Sequence, residues 1–302
     1  MKILVTGASG LVGSALVPFL ESKGHEVLRL VRSEPKTGSV EIRWEPEKGI
    51  EKLEQLEGLA AVVHLAGENI SEGRWTNEKK ARIRDSRVKG TRTLSEALAQ
   101  LSAPPQTLIS ASAIGFYGDR GDEVLNEQSA SGDNFLAEVC REWELAARSA
   151  AEKGIRLVAL RFGVILSPEG GALQKMLTPF KLGVGGRVGD GSQYMSWITL
   201  EDVIGVIYYA LTNETLHGPV NVVAPRAVTN LEFTKALGHV LSRPTLFPAP
   251  AFALRLAFGE MADALLLSSA RVEPQRLKES GYIFQYPELE GALRHMLKKE
   301  GS

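Results

Sequence analysis

Three glycines stand three residues apart in the run Thr6-Gly7-Ala8-Ser9-Gly10-Leu11-Val12-Gly13. The run follows the apolar Ile3-Leu4-Val5 and opens a stretch of helical period over 12–23. A strand, a glycine turn and a helix in that order can hold a dinucleotide pyrophosphate. Free N–H groups at the helix start, and the positive end of its dipole, face the phosphates. Gly7 permits the tight turn, Gly10 lets the backbone approach the pyrophosphate, and Gly13 allows the helix to pack closely on the sheet. Ser9, Leu11 and Val12 complete this expected phosphate cradle. The tip of the second apolar run selects the dinucleotide. An NAD site usually carries Asp or Glu there, bonded to the ribose 2′-hydroxyl. This chain reads Leu30-Val31-Arg32-Ser33, without a carboxylate. Arg32 offers a planar donor array to a 2′-phosphate and Ser33 a hydroxyl, so the expected cofactor is NADP(H).

Such a cradle needs a sheet beneath it. Apolar runs at 26–31, 60–65, 107–110 and 156–160 alternate with helical patterns at 12–23, 77–100 and 135–153. Strands separated by helices of this length read as βαβ units of a parallel sheet, with helices on both faces. Between them Val40, Ile42 and Trp44 alternate with polar residues, which suits an edge strand. After Ser167 glycines and then prolines punctuate the chain, and the helical segments near 202–211 and 231–240 are shorter. The expected fold is α/β: a Rossmann doubly wound parallel sheet over 1–165 with a smaller mixed α/β C-terminal lobe over 166–302. The segment 200–225 is expected to return to the sheet.

Composition narrows the function. A formal charge of −1 gives no global field toward nucleic acid or an anionic membrane. The one cysteine, Cys140, excludes an internal disulfide and a cysteine-rich metal cage. The five histidines show no ligand spacing, so no metal is expected. No apolar run approaches the roughly 20 residues that cross a bilayer, and the glycine turn leaves no room for a leader. The protein is expected to be cytoplasmic, with a small-molecule substrate and neither nucleic acid nor membrane as a partner.

The glycine run, His64-Leu65-Ala66-Gly67-Glu68-Asn69-Ile70, Arg74-Trp75, Ser86-Arg87, Gly118 and Phe135-Leu136-Ala137-Glu138 resemble the extended short-chain dehydrogenase/reductases. Trp143-Glu144, Arg161-Phe162-Gly163 and the segment 189–197 add to this. Within that group the chain is similar to an atypical branch, the epimerase family proteins, over essentially its whole length. Pro274-Gln275-Arg276-Leu277 and Tyr286-Pro287 resemble the branch's own C-terminal extension, here 250–302. The resemblance implies that Leu65, Ala66 and Gly67 pass over the cofactor's adenosine and ribose, with Glu68 beside them. It also implies that Arg161, Phe162, Gly163 and Val164 lie next to the nicotinamide, with Ser110, Ala111 and Arg87 lining the same cleft. The loop 189–197 is expected to close over substrate, its glycines suiting movement. A homodimer through the helices at 77–100 and 135–153 is implied as well.

The family's chemistry uses a Ser or Thr after strand five and a Tyr-x-x-x-Lys on the next helix. In that pattern the Tyr exchanges a proton with substrate while hydride moves to or from nicotinamide. Here Phe135 and Val139 occupy the matching positions, and no tyrosine occurs between Tyr117 and Tyr194. Alignment on Tyr117-Gly118 puts Ala113 at the Ser position with Ser112 beside it. The candidate replacements are therefore Ser112, Tyr117 and Glu138. For each there is a plainer reading: a hydroxyl satisfying a turn, a ring packed beside Phe116, and a surface charge near Arg141. Arg87 stands where relatives carry Asn; it either binds an anion or belongs to the basic face of its helix. Glu68, Asn69 and Trp75 are further pocket candidates. The resulting expectation is an NADP(H)-dependent oxidoreductase or epimerase (isomerase) with a rearranged proton-transfer group. Its rival is a cofactor-sensing binding protein that has lost catalysis.

Overall fold

Strands and helices alternate from the first residues in the computed structural model, which describes residues 1–35 and 38–298. The first half runs β1 (Lys2–Thr6), α1 (Leu11–Ser22), β2 (Glu26–Val31), β3 (Glu41–Glu45), β4 (Gly49–Ile50), β5 (Ala61–His64) and α2 (Asn77–Gln100). It continues with β6 (Thr107–Ala113), β7 (Val124–Leu125), α3 (Phe135–Ala146), α4 (Arg148–Glu152) and β8 (Arg156–Phe162). The second half begins β9 (Val164–Ser167), α5 (Gly171–Lys181), β10 (Tyr194–Met195), β11 (Trp197–Thr199), α6 (Leu200–Thr212) and β12 (Gly218–Val222). It ends β13 (Val228–Thr229), α7 (Asn230–Leu241), α8 (Ala251–Phe258), a π-helical turn (Ala262–Leu266), β14 (Arg271–Val272), α9 (Gln275–Glu279) and α10 (Leu289–Lys298).

One sheet has the order β12-β8-β6-β5-β1-β2-β3-β4. Its neighbours are parallel except for the β3–β4 hairpin. The winding reverses between β1 and β5, and the crevice beyond the carboxyl ends of strands at such a reversal is where doubly wound folds bind ligands. Successive strand side chains serve opposite faces. Ile3, Val5, Val63 and Ile109 pack with Leu16 and Leu20 of α1 and Val203 and Ile207 of α6. Leu4, Val62 and Leu108 pack on the other side with Leu94 and Leu98 of α2 and Ala150 of α4. The sheet is buried on both faces, so its central strands read as continuous apolar runs.

The helical pattern at 135–153 is two helices, broken at Ala147. The Ala150 N–H donates to Ser95 Oγ of α2 at 2.9 Å, a partner outside its own helix. A hydroxyl on a neighbouring helix thus caps an otherwise unpaired N–H in the first turn of α4, a partner that periodicity cannot reveal. Beyond β8 the chain leaves the sheet and returns to it through α6 and β12, with β12 pairing in parallel to β8. A second core gathers Leu173 and Phe180 of α5, Trp197, Phe233 and Leu237 of α7, and Leu293 and Met296 of α10. The last fifty residues do not form a lobe of their own: β14 pairs with β7, Met261 packs on Trp75 and Ile83, and α10 joins the second core.

Candidate functional site

The three glycines differ in what they must avoid. Gly7 has φ +69°, and a Cβ there would lie 2.7 Å from the Leu65 carbonyl carbon. At Gly13 it would lie 2.2 Å from Gly7 O, so the first turn of α1 can sit on the glycine loop only without a side chain. Gly10 is another matter. Its φ of −78° and ψ of 173° are open to any residue, and the nearest atom to an added Cβ is Gly7 O at 3.4 Å. The protein's own packing does not demand glycine there. Gly10 is the N-cap of α1 and offers no side-chain cap. Ser9 and Gly10 are exposed and Leu11 and Val12 half-buried, so the open helix start faces the crevice mouth.

A buried chain of hydrogen bonds fixes the neighbouring turn. Thr6 Oγ1 accepts from the N–H groups of Leu65 and Ala66, each at 3.2 Å. Both its lone pairs are thereby used, so its proton goes to His64 Nδ1, 2.7 Å away. His64 then carries its hydrogen on Nε2 and donates to Thr91 Oγ1 at 3.0 Å, where Trp143 Nε1 also donates at 2.8 Å. Burial lowers the His64 pKa to about 4, consistent with a neutral ring. This chain holds residues 65–67 against Gly7, and its partners Thr6, His64, Thr91 and Trp143 are too far apart in sequence for any local pattern to reveal it.

Arg32 is exposed at the tip of β2 and has no hydrogen-bond or ion-pair partner among the described residues. The nearby Glu34 is taken by Arg43. Ser33 lies exposed beside it. Arg87 rises from α2 beneath the next turn: a Cβ on Gly67 would meet its Cζ at 3.3 Å. Its guanidinium donates to Ile83 O at 3.1 Å and lies 5.0 Å over the Trp143 ring. Desolvation lowers its pKa. Glu68 points elsewhere, its carboxylate 2.7 Å from the buried Lys79 ammonium, which holds its pKa below the ordinary range. Trp75 donates its indole N–H to Ile70 O at 2.8 Å, shaping the loop after β5.

The replacement acids sit in two settings. Ser112 donates to Glu144 Oε1 at 2.7 Å, and Arg161 grips both oxygens of that carboxylate at 2.8 Å. Arg161 also donates to Tyr117 Oη at 3.0 Å, and Tyr117 donates to Asn221 Oδ1 at 2.7 Å. The Arg161 guanidinium stacks 3.5 Å over Phe116. Tyr117 is 0% exposed, and burial raises its pKa. Both hydroxyls are engaged in one internal network joining β6, α3, β8 and β12. Ser110 and Ala111 are buried in β6 just before it. Glu138 is exposed on the outer side of α3. Cys140 is buried, and desolvation pushes its thiol up to about 12.

At the expected acid–base positions the structure has an apolar surface. Phe135 meets the Trp75 ring edge-on at 5.6 Å, and Val139 is buried. Trp75, Phe135 and Leu136 form one cluster with Met261, Ala264 and Leu265 of the C-terminal extension. The segment 189–197 is pinned to the same extension rather than loose. Gln193 Nε2 donates to Leu266 O at 3.0 Å, Tyr194 N to Ser269 Oγ at 2.9 Å, and Ser196 Oγ to Ala270 O at 2.7 Å. Gly163 lets the chain pass beneath this segment, since a Cβ there would lie 2.5 Å from Ser196 O. Phe162 and Val164 flank it half-buried.

A doubly wound sheet with a glycine cradle at its switch point defines the class, and residues 3–224 match the NAD dependent epimerase/dehydratase family, to which this chain belongs. Residues 249–296 match a second family, a domain of unknown function (DUF1731). The epimerase family protein MT2273 of Mycobacterium tuberculosis is 44% identical over 299 residues, covering 99% of this chain and 98% of that protein. A crystal structure of human epimerase family protein SDR39U1 with NADPH superposes with a TM-score of 0.91 at 34% identity, covering 99% of both chains. The UDP-N-acetylglucosamine 4-epimerase of Bacillus cereus, 20% identical with a TM-score of 0.76 over all of both chains, shares the fold.

Proposed function

We propose that this protein binds NADP(H) across the β1–β5 crevice and acts as an epimerase/dehydratase-like oxidoreductase whose proton-transfer group is rearranged. The observation that carries the cofactor reading is Gly10, a glycine the protein's own backbone does not need, at an uncapped helix start. The NADPH in the human relative's crystal structure supports it. Gly7, Ser9, Gly10, Leu11, Val12 and Gly13 would cradle the pyrophosphate, and Arg32 with Ser33 would take the 2′-phosphate. Leu65, Ala66 and Gly67 would cover the adenosine side, with Arg87 bracing Gly67 from below. Ser110, Ala111, Phe162, Gly163 and Val164 would line the nicotinamide end. Arg161 would contribute there through its main chain, and Glu68 through the loop it anchors to Lys79. Bound nicotinamide supplies a hydride donor or acceptor. The protein's part is to hold it and keep water away with the apolar surface of Trp75, Phe135 and Met261.

Calorimetric titration with NADPH and NADH tests the cofactor reading: NADPH is expected to bind more tightly, and failure to take up either nucleotide overturns it. A screen of carbonyl and sugar-nucleotide substrates with NADPH tests the catalytic reading. A second reading, a non-catalytic NADP(H)-sensing protein, is favoured by one observation: Phe135 and Val139 replace the acid–base pair while Ser112 and Tyr117 are locked inside. It predicts tight cofactor binding, no turnover and a protein partner whose recovery depends on NADPH. The dimer through α2 and α3 rests on the resemblance alone. Outward residues there are mostly charged, including Arg82 and Arg84, with Leu145 the exposed large apolar side chain. Solution mass at high concentration decides it.

A further inference from the structure

The inward stripe of α2 runs Ile83, Arg87, Thr91, Leu94 and Leu98 at helical spacing, with a cation among buried apolar and hydroxyl side chains. Strands β5 and β6 are parallel, so α2 between them runs back against both and starts at their carboxyl ends. Thr91 meets His64, the last residue of β5. Arg87 stands one turn closer to the helix start and reaches Gly67, three residues beyond that strand. Its guanidinium therefore lies just past the end of β5, at the level of the crevice. Gly67 is exposed, and the three atoms nearest to a Cβ added there all belong to Arg87. The backbone at Gly67 has no positive φ, so the missing side chain relieves no turn. It leaves the guanidinium uncovered.

Of its five N–H donors Arg87 uses one, on Ile83 O, and among the described residues no carboxylate pairs with it. The acids around it are committed elsewhere. Glu68 goes to Lys79 at 2.7 Å, Asp85 to Lys89 at 2.9 Å, Glu142 to Arg84 at 2.6 Å and Glu144 to Arg161 at 2.8 Å. A half-buried guanidinium without a counter-charge is a cost to the free protein that an incoming anion removes. We infer that Arg87 is the receptor for a carboxylate or phosphate group of the substrate, which its planar fork grips with two parallel hydrogen bonds. The inference rests on the cofactor pose proposed above, in which the nucleotide's phosphates lie at the start of α1 and the tip of β2. In the order β6-β5-β1-β2 both of those places lie on one side of β5. Arg87 lies on the other, over the Trp143 ring of α3, which packs on β6. Ile83, whose carbonyl it holds, belongs to the apolar cluster of Trp75, Phe135 and Met261. A substrate resting its body on that wall brings its anion to Arg87.

The test is calorimetric titration of the full-length protein, saturated with NADPH, by benzoate and separately by inorganic phosphate. Saturation fills the glycine cradle, so neither probe reads the cofactor's own phosphate sites. Wild type is expected to bind at least one probe, and Arg87→Met, which keeps the length but not the charge, to bind it about tenfold or more weakly. The tighter probe distinguishes a carboxylate on an apolar body from a phosphate. NADPH affinity of the variant is expected to change by about threefold at most, which also shows that it is folded. Should Arg87→Met not fold, Arg87→Lys keeps the charge and loses the fork, and weaker probe binding is expected there too. No binding of either probe by wild type overturns the inference, as does undiminished binding by the folded variant. A loss of NADPH affinity of about tenfold, in a variant that melts like wild type, overturns it in favour of a cofactor phosphate. If wild type takes up no NADPH, the cofactor reading fails instead, and the benzoate titration of the free protein decides on Arg87.

Discussion

Replacing Gly10 by alanine separates a glycine kept for a ligand from one kept for the fold. The new Cβ meets only Gly7 O at 3.4 Å in a backbone conformation alanine adopts freely. Alanine is a poorer N-cap than glycine by about 0.5 kcal/mol, while the stiffer unfolded chain returns a similar amount. The net change is near zero. For a 302-residue chain losing about 2 cal/mol/K per residue on folding, the melting temperature shifts by about 1 °C or less. Gly13→Ala forces a Cβ to 2.2 Å from Gly7 O, and backbone must move. Overpacking of that kind costs about 1–3 kcal/mol, or a fall of about 2–5 °C. Cofactor affinity behaves differently. In the proposed pose a methyl group at residue 10 would stand between the phosphate and the helix start. Losing one charge-assisted N–H contact of about 1.5–3 kcal/mol weakens binding tenfold to a hundredfold. Thermal melts of both variants, with calorimetric titration by NADPH, measure the two effects. Wild-type NADPH affinity in Gly10→Ala, or a melting shift as large as that of Gly13→Ala, would refute the reasoning.

Arg32→Ala is expected to lower NADPH affinity by about tenfold and leave NADH unchanged, because only the former carries a 2′-phosphate; equal losses for both would count against that contact. Protonation of His64 opposes folding, since its pKa falls from 6.5 to about 4 on burial. As pH drops below 6.5 the unfolded chain takes up a proton that the native one refuses. Stability is therefore complete above pH 6.5 and declines toward pH 4 by about 3 kcal/mol in all. Urea unfolding between pH 7 and 5 reads this slope, and a His64→Gln variant with an undiminished slope would contradict the assignment. Glu144→Ala strands the buried Arg161 guanidinium and is expected to cost about 3 kcal/mol or more in urea unfolding. Tyr117→Phe breaks the adjoining hydrogen bonds, lowering stability by about 1–3 kcal/mol with NADPH affinity unchanged. A weakened NADPH affinity there would return Tyr117 to the cofactor cleft.

Local features of the chain carried most of the fold and the cradle. The glycine spacing after Ile3-Leu4-Val5, the alternation of apolar runs with helical periods, and the bare arginine at the second strand tip are properties of neighbouring residues. Short-range sterics and periodicity suffice to read them. The missing acid–base pair was equally plain, because a tyrosine and lysine four residues apart are either present on a helix or not. Roles that depend on distant partners were hidden. Ser112 and Tyr117 are hydroxyls near a strand end on paper, but Glu144, 32 residues from Ser112, and Asn221, 104 residues from Tyr117, engage them in the folded chain. That the Arg161 guanidinium grips Glu144 with both donors is likewise a matter of the fold. The restart after Ala147 is capped by Ser95 on another helix, a partner far away in sequence. The C-terminal extension could be marked out by its motifs, yet its place against Trp75, Phe135 and the 189–197 segment could not. Sequence determined the backbone's local preferences and the chemistry available to it; tertiary structure decided which side chains were free to use that chemistry, because burial and hydrogen-bond pairing depend on contacts no short window contains.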